Sequence, residues 1–217
     1  MVAAAMTHFL LAVALHGLLQ AAPVPANDRA VLGQWESAVR NKGGIGNILE
    51  FRPDGKVTQI SGMMSDATWA LEGDWLRTVY TNEETGKLQE SDVRVEFQGL
   101  DVFVEKDENG NEQSYSERIG NAAPGASPVV GEWCSLFLDT LTSYRQFTVD
   151  GQMFVRLPVT TLRGSWQADG TTLAVQIDGQ PPGRYPYRLE NGQLVIKSRD
   201  GSDRIYKRSP STLLKGY

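Results

Sequence analysis

The sequence predicts an all-β protein made of two tandem small antiparallel barrels or strongly curved sheets, with almost no helix. Three observations carry this. Landmarks recur: Val31 to Ser37 (VLGQWES) returns as Val129 to Ser135 (VVGEWCS), and each copy is followed by a Phe and an Asp-Gly turn, Phe51 with Asp54-Gly55 and Phe147 with Asp150-Gly151. Apolar residues alternate with period two, as in Leu173, Val175 and Ile177 and again in Tyr185, Tyr187 and Leu189. Asp-Gly and Asn-Gly pairs in PDGK (53–56), ADGT (168–171), ENGQ (190–193) and RDGS (199–202) supply the positive φ that tight hairpins need.

In chain order, residues 1–26 contain no Lys, Arg, Asp or Glu, and Phe9 to Leu19 is apolar apart from His16 and Gly17. This reads as a secretory signal cut after Ala26, so the mature chain is expected in the periplasm or outside the cell. The signal ends without a cysteine to lipidate, so no lipoprotein anchor is expected. His8 and His16 are the only histidines and both fall in this segment. A mature chain without imidazole excludes Ser-His-Asp and Cys-His nucleophile pairs, His-rich zinc sites and proximal-His haem, and no cofactor is expected. Cys134 is the only cysteine, so no intramolecular disulfide forms. Alternation points its thiol away from Trp133, towards a partly wet face.

The first repeat is expected over 27–120, a Gly/Ala/Ser/Pro linker over 121–128, the second repeat over 129–208 and a tail over 209–217, with seven or eight strands per repeat. A second Gly-x-Trp, Gly73-Asp74-Trp75, matches Gly164-Ser165-Trp166, and Tyr115 with Arg118 matches Tyr206 with Arg208. Alternation puts Gly33 and Trp35 on one face, where the ring lies across the sheet and a guanidinium stacks on it. The expected pairs are Trp35 with Arg118, and Trp133 with Arg208 or Arg204.

Gly-x-Trp on the first strand, antiparallel hairpins and a basic residue on the last strand resemble the lipocalin and wider calycin pattern. The likeness is closer to small bacterial lipocalin-like domains of unknown function, which carry Gly-x-Trp, a Phe-x-x-Asp-Gly-type turn and a second Gly-x-Trp. The resemblance covers nearly all of the mature chain as a tandem pair and implies the barrel fold, but no activity.

Trp69 has no counterpart at the equivalent point of the second repeat, and with Trp75, Asp66, Glu72 and Asp74 it makes an aromatic and acidic cluster suited to stacking a sugar and bonding its hydroxyls. Glu72 and Asp74 correspond to Arg163 and Ser165, so the cluster belongs to the first repeat alone. The leading expectation is a non-enzymatic binding protein for a small apolar or saccharide ligand or for another envelope protein. An inhibitor or immunity-type partner of a hydrolase is the alternative, and glycoside hydrolysis by the three carboxylates the third. DENGNE (107–112) lacks the glycine and distal Glu of a calcium loop and reads as a hairpin. KGGIG (42–46) lacks phosphate-binding spacing and reads as a loop at a barrel mouth.

Residues 27–120 carry 10 basic and 18 acidic side chains, and residues 121–217 carry 11 and 8. Opposite signs suggest either that the repeats face one another or that the second meets an anionic surface through Arg145, Arg156, Arg163, Arg184 and Arg188. A pI near 5.1 disfavours nucleic acid as a partner.

Overall fold

The computed structural model describes residues 26–137 and 140–214. The expected signal segment lies outside the described residues except for Ala26. A short 3₁₀ turn, Ala26–Val31, leads into the first half of the sheet: β1 (Gly33–Ser37), β2 (Ile45–Phe51), β3 (Lys56–Glu72), β4 (Trp75–Thr81), β5 (Leu88–Gln98), β6 (Val102–Lys106) and β7 (Glu112–Ile119). The second half repeats the series: β8 (Gly131–Phe137), β9 (Leu141–Phe147), β10 (Gln152–Ala168), β11 (Thr172–Ile177), β12 (Gly183–Glu190), β13 (Gln193–Lys197) and β14 (Asp203–Arg208). The protein is thus all-β and antiparallel. The Asp-Gly and Asn-Gly pairs sit at hairpins, and the two-residue β12–β13 turn has Asn191 and Gly192 at φ 51° and 75°. DENGNE is also a hairpin, with Asp107 accepting the backbone N–H groups of Asn109 and Asn111.

Sequential strands pair with one another and β1 pairs with β14, so the order closes into one ring. Across this ring β3 also pairs with β10, from Gln152↔Thr68 to Ser165↔Lys56. These two strands have 17 residues each, well beyond the usual 3–10. Their length lets each serve two neighbours in turn. The first half of β3 pairs with β2 and the second with β4, while β10 pairs with β9 and then β11.

The ladder therefore divides the ring into two closed circuits with a common wall. The first ring contains β1, β2, the start of β3, the end of β10, and β11 to β14. The second contains β8, β9, the start of β10, the end of β3, and β4 to β7. Each ring takes its opening strands from one half of the sequence and its closing strands from the other. The hydrogen-bonded circuits do not divide at the expected linker 121–128, since each takes strands from both sides of it.

Each ring has its own core. Val31, Trp35, Phe51, Trp166, Leu173 and Leu194 fill the first, and Val129, Trp133, Phe147, Phe103 and Leu76 fill the second. Burial of these faces is the main stabilising contribution. Each core has a corresponding floor. The Trp35 indole N–H donates to Val31 O and that of Trp133 to Val129 O, both at 2.7 Å.

The guanidinium on each floor comes from the opposite half. Arg208 lies 3.8 Å from the Trp35 ring centroid and Arg118 lies 4.0 Å from that of Trp133. This corrects the expected Trp35–Arg118 and Trp133–Arg208 pairs, because each ring closes by pairing the last strand of one half with the first strand of the other. The glycine of Gly-x-Trp makes room for the guanidinium. A Cβ on Gly33 would meet Arg208 Nη1 at 3.0 Å and one on Gly131 would meet Arg118 Nη1 at 2.4 Å, with φ at 102° and 133°.

A third core lies on the other face of the common wall, where Ile48, Ile60, Met64 and Phe154 are covered by Leu213 and Leu214 of the C-terminal segment. Gln34 Nε2 donates to Leu213 O at 3.2 Å, and Ser209 Oγ donates to Glu36 at 2.7 Å. Beneath this strap, the Arg156 Nε and Nη2 groups grip Glu36 at 2.9–3.1 Å, with both side chains 1% exposed. Arg156 also reaches Asp66 at 2.9 Å, as Arg40 does at 2.8 Å. Arg156 and Arg145 thus pair with Glu36, Asp66 and Glu105 of the acidic half rather than facing an external surface.

Breaking this pair leaves a buried charge, whereas removing both partners does not. Arg156→Met is expected to cost about 3–5 kcal/mol in urea unfolding, and adding Glu36→Leu is expected to recover most of it. A double variant as unstable as the single one would show that the pair's charge balance is not what counts.

Candidate functional site

The structure distributes the sequence-derived cluster over three places. Trp69 faces the interior of the second ring, where it packs edge-on against Phe147 at 5.7 Å and its indole N–H donates to Thr148 O at 3.2 Å. It does have a counterpart. Trp166 packs edge-on against Phe51 at 5.1 Å and donates to Arg52 O at 3.0 Å. Both also donate their backbone N–H to the turn glycine of the partner hairpin, Gly151 and Gly55 respectively. The sequence match of Trp75 to Trp166 is therefore displaced. A register shift in β10 between Pro158 and Thr160 inserts one residue before Trp166 and hides its alignment with Trp69.

Trp75 and Glu72 are cross-strand neighbours on the outer face, beside Arg77 and Asp92. Asp74 occupies the hairpin turn, with Arg94 Nη2 at 2.6 Å. That charge-assisted bond holds the Asp74 carboxyl below its ordinary value. Asp66 points to the far side of the common wall, about 20 Å along β3 from Glu72 at the usual rise per residue. Its carboxylate meets Arg156, Arg40 and Lys207. Trp69, the Glu72–Asp74–Trp75 corner and Asp66 therefore share no cleft.

The open space lies instead in the two rings. In the first, a cavity of about 390 Å³ is lined by Leu49, Phe51, Val57, Leu173, Val175, Ile177, Ile196 and Tyr206. Asn47, Gln59 and Gln180 add a few amides, and Tyr185, Arg199 and Arg204 complete the lining. Arg199 lies 6.0 Å over Tyr185, and Arg204 Nε donates to Ser198 Oγ at 3.4 Å. Neither arginine forms a salt bridge among the described residues. The adjacent Asp200 is bound by the Ser202 and Ser198 hydroxyls and the Ser202 N–H, which hold its carboxyl down to about 2.

In the second ring a cavity of about 490 Å³ is lined by Leu76, Thr78, Tyr80, Ser91, Glu105, Ser114, Ser135, Ser143 and Arg145. The Arg145–Glu105 pair is 2.5 Å long and Arg145 Nη2 donates to Ser116 Oγ at 2.6 Å. The Ser114 hydroxyl donates to the other Glu105 oxygen. The Lys42–Gly44 portion of KGGIG borders a crevice with Met63 and Glu83 that adjoins this cavity, the two sharing Tyr80, Phe137 and Ser143.

Cys134 is half-buried opposite Glu117 in the β7–β8 ladder. Burial, with the Glu117 charge adding to it, pushes its thiol above the ordinary value.

No family model matches the chain, and no curated protein or solved structure matches it either.

Two measurements follow from the ionisable groups. Burial raises the Asp66 pKa, but Arg156 and Arg40 outweigh it and leave the carboxyl below its ordinary value. Its contribution to stability is then complete above the unfolded carboxyl range, near pH 4, and fades as pH falls through the lower folded value. Asp66→Asn is expected to be less stable than wild type at pH 7, with the gap narrowing below about pH 4 in urea titrations. A gap independent of pH would remove the ionised carboxylate from the account. For Cys134, alkylation by iodoacetamide in the folded protein is expected to be slower at pH 7.5 than for a model thiol of ordinary pKa near 8.5, and to rise to higher pH before levelling. A rate plateau at or below the model thiol's would contradict the raised value.

Proposed function

We propose that the protein is a non-catalytic binding protein whose first ring takes a small apolar molecule carrying an anionic head. The observation that supports this reading most is the cavity of about 390 Å³, walled by aliphatic and aromatic side chains and edged by Arg199 and Arg204. Cavities of about 300–1,000 Å³ with apolar walls and a few placed polar groups are the usual form of small-molecule sites. An apolar chain within the walls leaves water, while a carboxylate beside the arginines gains charge-assisted hydrogen bonds. The Trp floor and the absence of an open edge among the described residues supply a rigid support, in keeping with the lipocalin-like resemblance.

The carboxylates weigh against the hydrolytic alternative, since a glycosidase pair stands about 5–10 Å apart across one cleft. Asp66 is tied to Arg156 and Arg40, and Asp74 to Arg94.

Decanoate is the probe of choice, titrated calorimetrically into the full chain. Arg199→Gln with Arg204→Gln is expected to weaken decanoate about tenfold while leaving decanol unchanged, the loss of charge-assisted bonds being the difference. Val175→Trp is expected to block both probes by filling the cavity. Equal affinity for decanoate and decanol, or binding that survives Val175→Trp, would contradict the assignment.

A further inference from the structure

We infer that the second ring is a separate binding site for a neutral, hydroxyl-rich ligand, a saccharide in chemical class. The argument starts from matching positions in the two rings. Strand pairing gives the correspondence: Trp35↔Leu49 in the first ring matches Trp133↔Arg145 in the second, Leu194↔Tyr206 matches Phe103↔Ser116, and Ile196↔Arg204 matches Glu105↔Ser114. Leu49, Ile196 and Tyr206 belong to the apolar core of the first ring. Arg145, Glu105 and Ser116 stand at the same places in the second, joined to one another by hydrogen bonds and an ion pair. A contiguous apolar trio is thus exchanged for a contiguous polar one that satisfies itself. An isolated polar residue at any of these sites would have been costly.

The pair also sets the charge of the site. Glu105 and Arg145 are 15% and 14% exposed and cancel each other, so the cavity offers no net charge to an ion. This differs from the first ring, where Arg199 and Arg204 form no salt bridge among the described residues. Hydroxyls share the remaining wall with apolar side chains such as Leu76, Met153 and Val155. Thr78, Ser91, Ser135 and Ser143 line the space, and the last three make no side-chain hydrogen bond to the described protein. A hydroxyl both donates and accepts, which matches a ligand whose own groups do the same. Arg145 uses Nη1 on Glu105 and Nη2 on Ser116, which leaves guanidinium N–H groups unspent. Tyr80 and Phe137 give the wall aromatic surface for the C–H face of a sugar ring. A cavity of about 490 Å³ falls in the range of small-ligand sites.

The test is saturation-transfer NMR on the full chain with methyl α-glucoside, N-acetylglucosamine and cellobiose, with affinities taken from titration. At least one of these is expected to bind. Replacing the polar trio by its first-ring equivalents, Arg145→Leu with Glu105→Ile and Ser116→Tyr, is expected to abolish that binding. Thr78→Val with Ser143→Ala preserves shape more closely and is expected to weaken it about tenfold with an unchanged melting temperature, so the test does not depend on the larger replacement folding. Decanoate affinity at the first ring should be unaltered in both variants, and decanoate should not displace the sugar. No binding by any of the three probes, or binding that persists in the folded variants, would overturn the assignment, as would displacement by decanoate.

Discussion

The backbone ladder between β3 and β10 is the constraint on which the remaining architecture depends. It runs through the middle of the sheet, and each of its strands changes its outer neighbour halfway along. A strand of ordinary length would serve one ring only. Because these two serve both, each ring must close with strands from the other half of the chain. The Trp–Arg floors follow from that closure, with Arg208 beneath Trp35 and Arg118 beneath Trp133. The buried charges follow as well, since Arg156 on β10 lies across the wall from Asp66 on β3 and beside Glu36 on β1. The C-terminal strap then seals the apolar strip that the shared wall leaves on its far face.

This arrangement explains how one frame could present two linings. The Trp–Arg floors and the edge-on aromatic pairs recur in both rings with matching hydrogen bonds. The walls above the floors are less constrained by closure. There the first ring keeps Leu49, Ile196 and Tyr206 where the second has Arg145, Glu105 and Ser116. With every strand paired on both sides, the sheet offers no free edge among the described residues, and the rigid walls hold these side chains in place.

Much of this was legible in the sequence. The repeated Gly-x-Trp, the Asp-Gly turns and the period-two alternation identify an antiparallel all-β chain, and the glycine beside tryptophan points to a stacked ring. The exchange between halves was not legible, because Trp35 and Trp133 offer the same surface and Arg118 and Arg208 the same guanidinium. Local chemistry is satisfied by either pairing. One signal did exist: Lys56 to Glu72 runs for 17 residues without Pro, Asp-Gly or Asn-Gly, long for a strand with a single neighbour on each side. The aromatic and acidic cluster shows the opposite problem. Trp69 and Trp75 differ by an even number of residues, but the hairpin at Gly73 and Asp74 lies between them, so they face opposite sides of the sheet. The bulge after Pro158 then shifted Trp166 out of simple alignment with Trp69. Neither cavity could be read from sequence, since each lining gathers residues from both halves.

The measurement that tests interleaving most directly is cleavage of the folded full chain at a protease site placed in the loop between β7 and β8. If each ring is built from both halves, the two fragments remain associated through size-exclusion chromatography without denaturant and unfold together in one urea transition shared by Trp35 and Trp133. Fragments that separate under native conditions, each retaining its sheet and its own transition, would contradict the shared β3–β10 wall and return the protein to two independent repeats.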